Sequence, residues 1–93
     1  MDWSVIIEMF LDAIMESLEN RSPREIAARL KKPGGWEWVR LRRLLVKELG
    51  LKGRALRDAC KECMAELKSL PGSEIDALVA DAAAMRAEQQ DSE

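Results

Sequence analysis

The sequence has no histidine and no tyrosine, and its 93 residues include one phenylalanine, two cysteines and three prolines. Without histidine the chain lacks the most common general base, and neither a nucleophile–base pair nor a glycine-rich phosphate loop is present to suggest other chemistry. The scarcity of aromatic residues and of alternating β-branched residues argues against β-strands. We therefore expect a protein without strands and without enzymatic activity.

Two cysteines are too few for a secreted disulfide framework, and we expect Cys60 and Cys63 to be reduced. A structural zinc site needs four ligands, whereas this chain offers two thiols and no imidazole. Both thiols fall on the apolar side of a predicted helix, where free cysteine packs as a small hydrophobic group. We therefore expect no metal, no cofactor and no small-molecule substrate. A zinc site shared between two copies is the one metal hypothesis left open.

No long uninterrupted apolar run is present. Glu8, Asp12 and Glu16 interrupt the apolar residues near the start, and no basic segment precedes them. This stretch therefore fits neither a signal peptide nor a membrane span, and the expected location is the cytoplasm. With 47% apolar and 34% charged residues, the composition is typical of a folded, soluble helical protein.

The spacing of apolar residues predicts an all-α fold, a compact bundle of four to five short helices. One helical domain is expected over residues 1–87, followed by a polar, frayed C-terminal tail over residues 88–93. The predicted helices cover residues 2–20, 23–32, 36–49 and 54–70 (with Gly53 as an alternative start), and the fifth begins after Ser73.

Capping residues mark the predicted helix ends. Ser22 and Pro23 are typical of a helix start, and Glu25 would complete a capping box. Gly50 is typical of a left-handed helix terminator. Ser73 is expected to cap the fifth helix.

The first helix has an unusually wide apolar face. Its central stripe consists of Trp3, Ile7, Phe10, Ile14 and Leu18, and other apolar side chains widen it on both sides. A face this wide can cover more than one neighbour. Because a chain of this size has a thin core, we expect a homodimer formed through the first or the fifth helix.

Charge is distributed unevenly along the chain. Residues 1–20 carry five acids and no base, residues 21–62 carry thirteen bases and five acids, and residues 63–93 carry two bases and seven acids. The segment charges are therefore −5, +8 and −5. A basic centre between acidic ends indicates either an anionic partner or acidic helices that pair with the basic ones.

The third helix carries the most distinctive pattern. Trp36, Arg40, Arg43 and Lys47 fall within about 60° of one another on a helical projection, with no acid among them. The predicted buried line lies opposite and consists of Trp38, Leu41, Leu45 and Leu49. Trp36 has two expected roles, stacking on a base or covering the Gly34–Gly35 break, and the packing role is favoured.

Residues 22–51 resemble a helix-turn-helix DNA-binding module. The resemblance is carried by Glu25-Ile26-Ala27 with Leu30, then Val39, Leu44-Leu45 and Gly50. It implies that the second helix, Trp36–Lys47, enters the major groove with Arg40, Arg43 and Lys47 facing outward. The chain departs from the helix-turn-helix pattern in two ways. The segment between the two helices is about two residues longer than the usual turn, and no β-hairpin wing follows.

The sequence thus predicts a small helical DNA-binding protein that uses the basic helix 36–49, with transcriptional regulation as its expected role. Base reading is assigned to Arg40, Arg43 and Lys47, with Trp36 beside them. Phosphate contacts are assigned to Arg24, Arg29, Lys31, Lys32, Lys52 and Arg54, with Arg57 near the same joint. The alternative is a non-enzymatic protein interaction module, an adaptor or inhibitor, in which acidic helices neutralise the basic centre within one copy or across a homodimer.

Overall fold

Five α-helices form the fold, and the computed structural model describes residues 3–18 and 20–91. The helices are α1 (Ser4–Ser17), α2 (Pro23–Lys31), α3 (Gly35–Leu49), α4 (Gly53–Ser69) and α5 (Gly72–Asp91). No strand occurs in these ranges, and the predicted all-α bundle is confirmed. None of the described helices is long and apolar enough to cross a membrane.

α1 lies between two helix pairs. α2 packs on α5, α3 packs on α4, and α1 contacts α3, α4 and α5. The apolar face of α1 is buried as its periodicity predicts, through Ile6, Ile7, Phe10, Leu11, Ile14 and Met15. Met9 is an exception, because it lies on the outer side of α1 and is 37% exposed.

The buried faces of α3 and α4 agree only partly with the faces predicted from the spacing of apolar residues. Leu41 and Leu45 are buried, but Trp38 is half-buried and Leu49 is exposed. The predicted buried line of α3 is therefore too long, because Trp38 and Leu49 lie in open depressions beside α4 and only the two central leucines reach the closed core. On α4, Leu56, Cys60, Cys63 and Leu67 are buried as expected.

The helix starts show how the backbone is capped. Ser22 Oγ accepts the N–H of Glu25 at 3.3 Å, as predicted. The carboxylate of Glu25 instead pairs with Arg21 at 3.3 Å, so the predicted capping box is only half formed.

The predicted cap at Ser73 is wrong. α5 begins at Gly72, and the carbonyl oxygen of Pro71 accepts the N–H groups of Glu74 and Ile75 at 2.9 and 3.1 Å. Backbone geometry therefore starts the helix before the serine side chain could cap it. α5 also includes residues 88–91, which the sequence assigned to the tail, and residues 92–93 lie outside the described residues.

α3 ends at Leu49, and the next residue, Gly50, takes the left-handed conformation. Gly50 has φ 63° and ψ 24°, and its N–H donates to the carbonyl of Val46 at 3.0 Å. This is the terminator that the sequence predicts. Only glycine takes this conformation without steric cost.

Two glycine substitutions should have opposite effects. Gly50→Ala should lower the free energy of unfolding by about 1–2 kcal/mol, because alanine is strained at positive φ. Gly35→Ala should be neutral or raise it by up to about 1 kcal/mol, since a Cβ there meets no atom within 4 Å and φ is not positive. Urea unfolding followed by circular dichroism measures both, and equal effects would contradict the assigned backbone geometry.

Candidate functional site

The joint between α2 and α3 is held by Glu37, which is only 3% exposed. Arg29 Nε donates to Glu37 Oε1 at 3.0 Å, and the N–H of Gly34 donates to Glu37 Oε2 at 2.9 Å. The same carboxylate thus caps the start of α3 and fixes the end of α2. The signal for it was present in the sequence, since a glutamate three residues into a helix commonly accepts the capping N–H.

Trp36 lies at this joint, and two guanidinium groups lie over its ring. The Cζ atoms of Arg29 and Arg40 are 5.1 and 5.3 Å from its ring centroid, within the range of cation–π attraction. The indole therefore packs against side chains of α2 and α3. Arg29 and Arg40 are held in place by the same contacts.

Neighbouring hydrogen-bond donors keep the Glu37 carboxylate ionised. Burial alone would raise the pKa of its carboxyl, but the backbone N–H groups of Glu37 and Gly34 and the guanidinium of Arg29 outweigh burial, so its pKa is lowered. Each of these donors favours the charged form. The joint is therefore a buried carboxylate with its charge matched by fixed donors.

The predicted cations do not form one surface. Arg29 pairs with Glu37, and Lys31 Nζ pairs with Asp76 on α5 at 2.9 Å. Arg24 lines a depression with Lys31 and Asp76 on the α2 side of the molecule. The remaining predicted cations have no carboxylate within 4 Å among the described side chains of residues 3–18 and 20–88, and these are Lys32, Arg40, Arg43, Lys47, Lys52, Arg54 and Arg57.

Part of the predicted set comes together on the outer side of α3 and α4. A groove of about 500 Å³ lies between these helices, with Trp38, Leu56 and Cys60 on its floor and three cations, Arg42, Arg57 and Lys61, around it. A second depression on α3 adjoins it and contains Arg43 and Lys47. The two share Val39 and Arg42, and no carboxylate lines either. We call the five cations Arg42, Arg43, Lys47, Arg57 and Lys61 the basic face.

Two members of the basic face, Arg42 and Lys61, are absent from the sequence prediction. Both could have been found from spacing, because Lys61 follows Arg57 by one helical turn and Arg42 follows Trp38 by one turn. Their place beside the groove depends on how α3 packs on α4, which periodicity within one helix does not specify. Lys32, Lys52 and Arg54 are exposed but line neither depression.

The cysteines are buried and free. Burial raises the pKa of Cys60, although Arg42 opposes the shift, and burial together with Cys60 and Glu66 raises the pKa of Cys63 to about 11. Both are therefore thiols at neutral pH. The described residues contain no cluster of three or more side chains able to hold a metal ion.

The Glu37 contacts lead to a stability prediction. Glu37→Gln should lower the free energy of unfolding by about 1–3 kcal/mol at pH 7, because hydrogen bonds to a charged acceptor are lost within the joint. Glu48→Gln, exposed on the same helix, should change it by less than about 0.5 kcal/mol. Urea titrations of both variants and of the unmodified protein measure these differences.

The same variant has a predicted pH dependence. A lowered folded pKa means that the Glu37 contribution is complete above the ordinary glutamate value of about 4.3 and is lost as the pH falls through the folded value. The gap between the unmodified protein and Glu37→Gln should therefore close on acidification. A gap that persists in strong acid would contradict a role for the charge.

The two thiols should react at different rates. At pH 8 about one in a thousand Cys63 side chains would be thiolate, given its pKa of about 11. Cys60 lines the groove and is 7% exposed, against 1% for Cys63. Iodoacetamide should therefore modify Cys60 first, as measured by peptide mass spectrometry, and urea should make the two rates similar. Faster modification of Cys63 in the native protein would contradict this geometry.

The structure gives no evidence for the helix-turn-helix resemblance, because the main packing partner of α2 is α5 rather than α3. In comparisons with known proteins, no family model, no curated protein and no solved structure matches the chain. What the protein does must therefore be inferred from the placement of its own side chains.

Proposed function

We propose that this protein is a non-enzymatic DNA-binding module whose basic face contacts the phosphate backbone of duplex DNA. One observation carries the proposal. The five cations of the basic face line two adjoining depressions without a single carboxylate. Cations that are free of internal partners can neutralise phosphates and release counterions, which supplies most of the affinity in sequence-independent binding.

The outer side of α3 is the central element of this surface. Arg43 and Lys47 are exposed and one turn apart, so they can reach successive phosphates along one strand. Arg40 lies beside them, and its guanidinium packs on the Trp36 ring. This contact restricts the guanidinium before DNA binds. Arginine is suited to this role because its planar fork can donate two hydrogen bonds to one phosphate. A regulatory role in transcription is the use we propose for such binding.

The alternative is a protein interaction module, and the groove favours it. Trp38, Leu56 and Cys60 present an apolar floor, and Val39 beside them is 50% exposed. Phosphates would leave such a floor uncovered, whereas an amphipathic helix with acidic flanks would fill it. The two proposals use different parts of one surface: DNA needs the cations of outer α3, and a protein needs the apolar groove.

Fluorescence anisotropy with a labelled random duplex tests the proposal. Binding should weaken steeply as salt rises, with a slope of log affinity against log salt of about −4 for about four or five phosphate contacts. Arg43→Glu should weaken binding about tenfold at low salt, because it replaces one contact by a repulsion. Absence of binding at low salt would rule the proposal out.

A matched control has the same change in charge. Arg86→Glu lies on α5 beside Glu8, Asp12 and Asp81 and lines neither basic depression. Compared at about 0.15 M salt, where the Debye length is about 8 Å, it should change the affinity less than about twofold because its charge is screened from the DNA. Circular dichroism checks that both variants fold. Equal losses in the two variants would show that net charge, and not the basic face, determines binding.

A further inference from the structure

The molecule carries a second groove of opposite charge. It lies between α1 and α5, has a volume of about 310 Å³, and is lined by Glu8, Asp12 and Asp81 with one cation, Arg86. Its apolar lining includes Met85, which is 61% exposed. We call Glu8, Asp12 and Asp81 the acidic face.

Exposed apolar side chains concentrate on these two faces. The large hydrophobic residues that are exposed in the described ranges number six. Val39 and Val46 lie in the basic depressions, and Met85 lies in the acidic groove. Val5 and Met9 fall within about 60° of Asp12 on the helical projection of α1. Each of the two faces thus combines exposed apolar side chains with charged groups that have no ion-pair partner.

The two faces do not pair with each other within one molecule. They share no lining residue, and Glu8 and Asp12 are exposed on α1. None of the ion pairs among the side chains of residues 3–18 and 20–88 joins a member of one face to a member of the other. Each face therefore keeps a surface of suitable charge and hydrophobicity for a second molecule.

We propose that the protein associates with itself head to tail, the acidic face of one copy docking on the α3–α4 groove of the next. The contact would pair Glu8, Asp12 and Asp81 with Arg42, Arg57 and Lys61, and would cover the exposed apolar residues of both faces. Complementary charge selects this orientation over face-to-face pairing of like charges. Such a contact is heterologous, so it leaves one free face at each end and adds further copies.

This inference goes beyond the proposed function and is tested without DNA. Sedimentation velocity at about 0.02 M salt should show an average mass that rises with protein concentration, and at about 0.5 M salt the rise should be lost because the charges are screened. A protein that stays monomeric at low salt up to high concentration would overturn the inference.

Paired variants distinguish a head-to-tail contact from a symmetric one. Arg57→Glu with Lys61→Glu reverses the groove, and Glu8→Lys with Asp12→Lys reverses the acidic face. Each double variant alone should stay monomeric, and an equimolar mixture should associate again because opposite charges then meet. The control Arg24→Glu with Lys32→Glu has the same charge change as the groove variant but lies outside both faces, and should associate normally.

An outcome in which the groove variant associates like the unmodified protein would overturn the inference, as would a mixture that stays monomeric although both variants fold by circular dichroism. A further readout needs no substitution. Cys60 lies on the groove floor, so its alkylation at low salt should slow as protein concentration rises. An alkylation rate independent of concentration would count against docking in the groove.

Discussion

Burial of one face of α1 holds the structure together. The two helix pairs are joined chiefly through this helix, and each large apolar side chain that it fully buries contributes about 1.5–3 kcal/mol. The Arg29–Glu37 ion pair is a second link, between α2 and α3. Because α1 faces inward on one side and carries acids on the other, the same packing that builds the core also places the acidic face.

Apolar periodicity predicted the helices well because each helix must bury one stripe. Ile14 and Leu45 are fully buried as their spacing requires. Leu49 follows the same spacing but is exposed, because it lines an open depression beside Trp3 and the first half of α4 instead of the closed core. Residue type correctly predicted the helix ends at Ser22 and Gly50. It failed at Ser73, because the carbonyl of the preceding proline accepts the first N–H groups of the helix instead. Sequence pattern thus specifies which face is apolar, and packing decides how much of it is covered.

The candidate site was less predictable than the fold, because a cation's partner depends on tertiary contacts. Lys31 is paired by Asp76, which is 45 positions away along the chain, and no short-range pattern indicates that pairing. Arg40 lies in the predicted stripe but stacks on Trp36 of its own helix. Arg42 and Lys61 join the basic face only because α3 packs on α4. The helix-turn-helix resemblance compared two consecutive helices, whereas the bundle pairs α2 with the last helix.

Separation of charge gives the molecule a property that its composition conceals. With a net charge of −2 and an isoelectric point of about 5.3, the chain would be classed as weakly acidic. Yet the basic face and the acidic face line separate grooves with no shared residue, so the charge distribution gives the molecule an electric dipole moment. A dipole of this kind turns the molecule before contact, so that an approaching polyanion meets α3 and α4 first. The same dipole would let the protein adhere to both anion- and cation-exchange resins.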